Sequence, residues 1–288
     1  MKLNDETGTE PLKPEQVRRG LIRVPLKTRT LAPATRTNCY LVHDGGGWLI
    51  VDFGAAEAGA FSLLDEAVRA FCKGWKQVHG LVLTHHHHDH TDGVARWLAG
   101  FKEPVLAHPA TFSHLGKAVP RSRAMEIGEG DRLGDLEILH TPGHASGHLC
   151  LATGTGDLVC GDLIAGIGTI VIDPPDGSMG AYIASIDRIM ARGFETGFPA
   201  HGPASPGLSR RLLSYRNHRM ARDAKILASL GELGEAGLEA ITAHAYGDVP
   251  AAALPVASRS ALAHLLWAVE RGLARPVGSD GETFAAVG

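Results

Sequence analysis

The sequence predicts an α/β domain over residues 1–207 and a helical domain over residues 208–288. Apolar runs of strand length alternate with segments of helical period as far as His201, and after Pro206 helical period takes over. A chain of 288 residues also suffices for about two domains at ~150 residues each.

Residues 1–18 mix Asn, Asp, Glu, Thr, Lys and Pro with little periodicity and read as a loose arm before a first strand near residues 21–24. Residues 38–52 read as a β-hairpin, two apolar runs joined by Asp44-Gly45-Gly46-Gly47. A helix is expected over residues 58–73, because Phe61, Leu64, Val68 and Phe71 or Cys72 recur at helical spacing. The next strand is residues 78–84, and a helix begins soon after Asp92 with Val94, Trp97 and Leu98 as its apolar side. Strands at residues 104–107, 135–140, 149–152 and 157–160 are followed by a helix over residues 179–192 and an apolar run over residues 198–201. Residues 208–230, 238–246 and 257–271 then read as three helices, and residues 274–287 carry β character, which together suggests a winged-helix-like unit.

With 28 basic and 31 acidic residues the net charge is −3, so no global field draws the chain to nucleic acid or to a membrane. No run approaches the ~18 consecutive apolar residues of a membrane span. Residues 1–10 are polar and acidic, unlike an export signal, and the expected location is cytoplasmic. Cys39, Cys72, Cys150 and Cys160 are widely spaced and are expected to be buried thiols.

Histidine carries the strongest signal. Of 16 histidines, five occupy His85, His86, His87, His88 and His90, with Asp89 between the last two. The cluster follows an apolar strand and precedes a helix, on a loop that a rigid scaffold holds. In an extended loop His85 and His87 point to one side, His86 and His88 point away, and Asp89 and His90 turn back toward the first pair. An affinity-tag-like run would be terminal and would not enclose Asp89, so metal binding is expected. Further ligands are expected at similar strand ends, from Thr141-Pro142-Gly143-His144-Ala145-Ser146-Gly147-His148, Gly161-Asp162 and Ala200-His201-Gly202.

Thr-His-x-His-x-Asp-His, Thr-Pro-Gly-His, Gly-Asp and Ala-His-Gly, preceded by Val51-Asp52-Phe53-Gly54, occur in this order between Asp52 and His201. The series resembles the metallo-β-lactamase superfamily, in its glyoxalase II and RNase Z wing. The resemblance implies a four-layer αβ/βα sandwich with a metal site at one edge. By matching motifs, one metal takes His85, His87 and His144, the other takes Asp89, His90 and His201, and Asp162 bridges them. Five imidazoles and two carboxylates suit two Zn²⁺ ions, and iron and manganese also accept such ligands. Asp52 resembles the acid that supports the metal loop through its imidazoles. His148 is read as structural, because the family's ligand directly follows Pro-Gly.

The implied reaction is hydrolysis of a small ester, thioester or lactone, or of a phosphodiester in RNA, by a metal-bridging hydroxide. Asp89 and Asp162 are the catalytic candidates, the first orienting the hydroxide and the second holding the metal pair. The expected partner is a small molecule, with RNA as the alternative and no membrane. Two rival readings are a mononuclear iron sulfur dioxygenase built on His85, His144 and Asp162, and a non-catalytic module stabilised by metal. Tyr215-Arg216-Asn217-His218-Arg219 with Arg222 resembles the C-terminal extension of the mitochondrial β-lactamase-like endoribonuclease and its bacterial relatives. Tyr215, His218, Arg222 and Lys225 share one helical face, either a solvated basic face or the rim of a pocket for an anionic substrate, and His218 is a candidate leaving-group acid.

Overall fold

A computed structural model describes residues 12–250, 253–278 and 281–287. The chain forms two compact units. The first runs through Thr141 and takes in Gly147–Thr169 and Gly193–Leu208, and the second comprises Pro142–Ser146, Ile170–Arg192 and the residues from Ser209 onward.

In the first unit a seven-stranded sheet joins β1 (Glu15–Arg18), β2 (Leu21–Lys27), β3 (Arg36–His43), β4 (Trp48–Val51), β5 (Val78–Val82), β6 (Val105–Ala107) and β7 (Ala124–Glu126) in sequence order. Pairing is antiparallel from β1 to β4 and parallel from β4 to β7. The parallel steps need crossovers. These carry α1 (Ala58–Phe71), the short α2 (His88–Thr91), α3 (Val94–Gly100) and α4 (Pro109–Leu115). A second, six-stranded sheet holds β8 (Arg132–Leu133), β9 (Leu136–His140), β10 (Leu149–Ala152), β11 (Asp157–Gly161), β12 (Thr196–Pro199) and β13 (Ser205–Pro206), ordered from β13 back to β8.

Strand alternation divides the apolar side chains between two cores. Along β2 to β6 one set, including Ile22, Val24, Cys39, Leu41, Ile50, Leu81 and Val105, packs with Leu64, Val68 and Trp97 of the helices. The alternate set, Tyr40, Val42, Leu49, Val51, Val82 and Leu106, meets Ile138, Leu149, Leu151, Val159 and Phe198 of the second sheet. The central strands are therefore apolar on both faces, and β3 is buried over six consecutive positions.

In the second unit α5 (Met179–Arg192) has the bounds its periodicity predicts, and the Ser178 hydroxyl caps it by accepting the Ala181 N–H at 3.3 Å. Next come α6 (Leu208–Leu233), β14 (Glu235–Gly237), α7 (Leu238–Ala245), α8 (Leu254–Glu270), β15 (Ala274–Val277) and β16 (Thr283–Ala286). The strands pair in the order β14, β16, β15, and Ile226, Leu230, Ile241, Leu265 and Phe284 form the core of this unit.

Residues 15–18 were expected in a loose arm, yet they pair with β2. An edge strand left mostly exposed needs ladder hydrogen bonds and no apolar period, so composition misreads it. The part of that arm before Lys13 falls largely on residues 1–11, which lie outside the described residues. The helix expected soon after Asp92 is α3, and a separate single turn, α2, precedes it from His88. Cys39, Cys72, Cys150 and Cys160 are buried thiols without disulfide bonds, and burial pushes the Cys72 thiol up to about 12. Among the described residues no helix is long and apolar enough to cross a membrane.

Candidate metal centre

The ligand-type residues of the first unit lie beyond the carboxyl ends of strands from both sheets, where open α/β sheets place their sites. Asp52 follows β4, the stretch from Thr84 to His90 follows β5, Asp162 follows β11 and His201 follows β12. His85 and His90 are fully buried, and Asp162 and His201 nearly so.

Asp52 organises the histidine loop. Its backbone has φ of +59°, a left-handed conformation that Asp tolerates better than most residues. Its Oδ1 accepts the Thr84 N–H at 2.8 Å, and its Oδ2 accepts the Thr84 hydroxyl and His90 Nδ1–H, each at 2.8 Å. With the Thr84 hydroxyl proton directed at Asp52, the Thr84 oxygen accepts from His85 Nδ1 at 3.0 Å. This network assigns the protons of His85 and His90 to Nδ1 and their lone pairs to Nε2.

His85 Nε2 lies 2.9 Å from His87 Nδ1. His86 turns elsewhere and stacks on His114, with ring centroids 3.9 Å apart, while exposed His88 lies 3.3 Å from Asp92. His87 is the N-cap residue of α2, whose single turn carries Asp89 and His90 back toward the site. Gly54 permits that turn: a Cβ there would lie 1.5 Å from the Asp89 carbonyl oxygen.

Asp162 is fixed through its backbone. The buried His148 accepts the Asp162 N–H on Nε2 at 2.9 Å, and its Nδ1 lies 2.7 Å from Thr141 Oγ1. Gly161, at φ of +49°, leaves room for this, since a Cβ would lie 2.6 Å from His148 Nε2. His201 donates from Nδ1 to the Arg36 carbonyl at 3.1 Å, which leaves its lone pair on Nε2. That nitrogen lies 3.4 Å from both Asp89 Oδ2 and Asp162 Oδ1. His90 Nε2 lies 3.6 Å from Asp162 Oδ1 and 3.9 Å from Asp89 Oδ1, and it is buried with no hydrogen-bond partner among the described residues.

Three carboxylates set the electrostatics of this cluster. Burial opposes charging His90, yet Asp52, Asp89 and Asp162 outweigh it and hold its pKa well above the usual imidazole value. Burial also pushes the Asp162 carboxyl up, but His201 and His90 prevail and hold it well below the carboxylate range. The carboxylates thus demand positive charge at the Nε2 positions. A divalent cation supplies it and takes the lone pairs as donors, so the groupings His85, His90, Asp162 and Asp89, His90, His201 are able to bind metal.

Thr84 enters the sequence pattern only as the leading Thr of Thr-His-x-His-x-Asp-His, with no role, and Thr37 not at all, although the Thr37 hydroxyl donates to Asp89 Oδ2 at 3.4 Å. Thr84 carries a readable signal, a hydroxyl at the end of an apolar strand directly before the histidines. Thr37 carries none.

His144 lies in the second unit, where its Nδ1 donates to the Val171 carbonyl at 2.6 Å, which leaves its lone pair on Nε2. In the same unit Tyr215 is buried, Arg222 donates to the Ala245 carbonyl at 2.6 Å, and Lys225 pairs with Asp248 at 2.7 Å. Arg222 also reaches Asp248, at 3.2 Å, so one carboxylate is shared between two cations of the expected basic face. His218 is exposed, and partial burial with Arg219 and Arg222 lowers its pKa.

Two sheets packed face to face, with histidines and aspartates gathered beyond their strand ends, define a metal-binding α/β fold. The profile of the metallo-beta-lactamase superfamily matches residues 32–201, and the chain belongs to that superfamily and carries its enzyme fold, with a C-terminal helical region. It is 28% identical over 215 residues to an "Atrochrysone carboxyl ACP thioesterase" of Passalora fulva, a match covering 72% of this chain. The chain spans 60% of that relative's length. A beta-lactamase domain protein from Burkholderia ambifaria shares the fold, with a TM-score of 0.79 at 20% identity, covering 97% of this chain and 96% of that one. The protein TTHA1623 in a di-iron-bound form is 28% identical with a TM-score of 0.54, covering 64% of this chain and 97% of that one.

Proposed function

We propose that the protein hydrolyses a thioester with two divalent metal ions, zinc foremost. The observation that carries this is the meeting of the His90 and His201 lone pairs with the Asp89 and Asp162 carboxylates at 3.4–3.9 Å, a geometry that calls for cations. His85, His87 and His144 would hold one ion and Asp89, His90 and His201 the other, with Asp162 between them. His144 enters through the Thr-Pro-Gly-His motif. The di-iron form of TTHA1623 supports two metals. The thioesterase name of the Passalora relative supports a thioester over an ester, a lactone or RNA.

When bound, the ions supply an activated water near neutral pH and polarise the acyl carbonyl. Asp89 orients the attacking water, Asp162 keeps its place through His148, and Asp52 holds the imidazoles in register. His218 is our candidate leaving-group acid, and an unchanged rate in His218→Ala would remove it. With its helices α6 to α8 and the β15–β16 hairpin, we read the C-terminal domain, residues 208–288, as winged-helix-like. The finer kinship with the endoribonuclease has less support, because Asp248 engages the cations that would meet RNA.

The test is metal analysis with a panel of thioesters, esters, lactones and RNA. About two metals per chain and thioester turnover lost in Asp162→Ala are expected. One iron per chain with oxygen uptake on a persulfide would favour a dioxygenase, and no turnover on any substrate would favour the binding module.

A further inference from the structure

Beside α4 lies a cleft of about 650 Å³, a volume suited to a small ligand. Phe112, Val119 and Ala124 give it an apolar lining backed by the helix-side core, and the exposed side chains of Lys117, Arg121 and Glu126 border it. Lys117 and Arg121 make no ion pair or side-chain hydrogen bond among the described residues. Nearby Arg123, by contrast, donates to the Phe101 and Glu103 carbonyls at 2.9 and 2.6 Å.

The cleft is connected to the metal loop. His114, at the end of α4, stacks on His86 with centroids 3.9 Å apart, and His86 stands between His85 and His87 in the chain. Lys117 follows His114 within a chain reach of roughly 11 Å. The turn from His114 to Lys117 therefore runs from beside the histidine loop to the rim of the cleft.

The lining selects the chemistry. The apolar wall suits methyl and methylene groups, Glu126 suits an amide N–H donor, and two uncommitted cations suit a phosphate. A thiol arm made of amides and branched methyls and ending in a phosphate has all three. We propose that this cleft binds the phosphate-bearing thiol arm of the substrate, an inference that rests on the thioester reading above. The arm occurs free in coenzyme A and tethered to acyl carrier proteins, and the experiment separates the two.

Steady-state hydrolysis is compared for acetyl-coenzyme A, an acetylated carrier protein and S-acetyl-N-acetylcysteamine, whose arm stops short of the phosphate. In Lys117→Ala/Arg121→Ala, KM for the phosphate-bearing thioesters should rise about tenfold at near-constant kcat, and the truncated thioester should be unaffected. An effect on both coenzyme A and the carrier protein identifies the arm itself, and an effect on one names the source. Calorimetric titration with coenzyme A gives a readout independent of turnover, and the double variant should weaken binding by a similar factor. Binding lost in the variant of a protein that hydrolyses no thioester would keep the cleft and overturn the thioester reading. Equal effects on all three thioesters, or no effect on either phosphate-bearing thioester, would overturn the cleft.

Discussion

The Asp52 carboxylate accepts His90 Nδ1–H at 2.8 Å, so His90 turns its opposite nitrogen toward Asp89 and Asp162. One carboxylate at the end of β4 thereby fixes the proton position and aim of a residue from the next crossover. Asp52→Asn keeps the size and weakens the acceptor. Metal affinity should fall about 10–100-fold, measured by competition with a chelator, while the far-ultraviolet circular dichroism stays the same. Wild-type affinity in this variant would show that His90 is oriented by other means.

Gly54→Ala places a Cβ where the Asp89 carbonyl oxygen now sits. Either α2 moves or the fold weakens, by about 3 kcal/mol. A lower melting temperature and metal binding reduced to fewer ions per chain are the expected pair, and an unperturbed variant would count against the close approach.

Removing the His148 ring strands a buried N–H on Asp162. His148→Leu should cost about 1–3 kcal/mol in stability and lower kcat by displacing Asp162. His148→Gln, which can present an amide oxygen, should recover part of both. Equal loss in the two variants would mean that ring packing, not the hydrogen bond, is what matters.

The second unit holds a buried histidine and carboxylate in one hydrogen-bonded group with an arginine. His264 is buried with its Nδ1 3.2 Å from Asp223, which also binds Arg271 at 2.8 Å. Burial lowers the His264 pKa against the pull of Asp223, and Arg219 and Arg271 add to the lowering. Burial pushes Asp223 up, but His264 and Arg271 prevail and its pKa is also lowered. A histidine held below its ordinary 6.5 takes its proton more readily when unfolded. Its contribution is complete above 6.5 and declines as pH falls. The Asp223 contribution follows below the ordinary 3.8. The melting temperature should drop between pH 7 and 5, and His264→Leu should flatten that slope. An equal slope in the variant would assign it to other groups.

Much of this was legible in the sequence. The bounds of α5, the strand pattern around the histidines and the order of the metal motifs all follow from periods and spacings within short windows. The pairing on the basic face of α6 was not, because the partner of Arg222 and Lys225 is Asp248, far along the chain. Nor was the Thr84 link between Asp52 and His85, which forms only when β4 and β5 pair in parallel. The edge strand β1 was missed because it is held by backbone pairing that leaves no mark on composition.

His85, His87, Asp89 and His90 hang from one sheet, and Asp162 and His201 hang from the other. An ion gripped by both sets would act as a clasp across the sandwich, so the halves must close before it can seat. Saturation at a hundredfold excess over Kd would then add about 2.7 kcal/mol to the closed form. Stripping the ion should therefore loosen the seam between the sheets before it frays their outer edges.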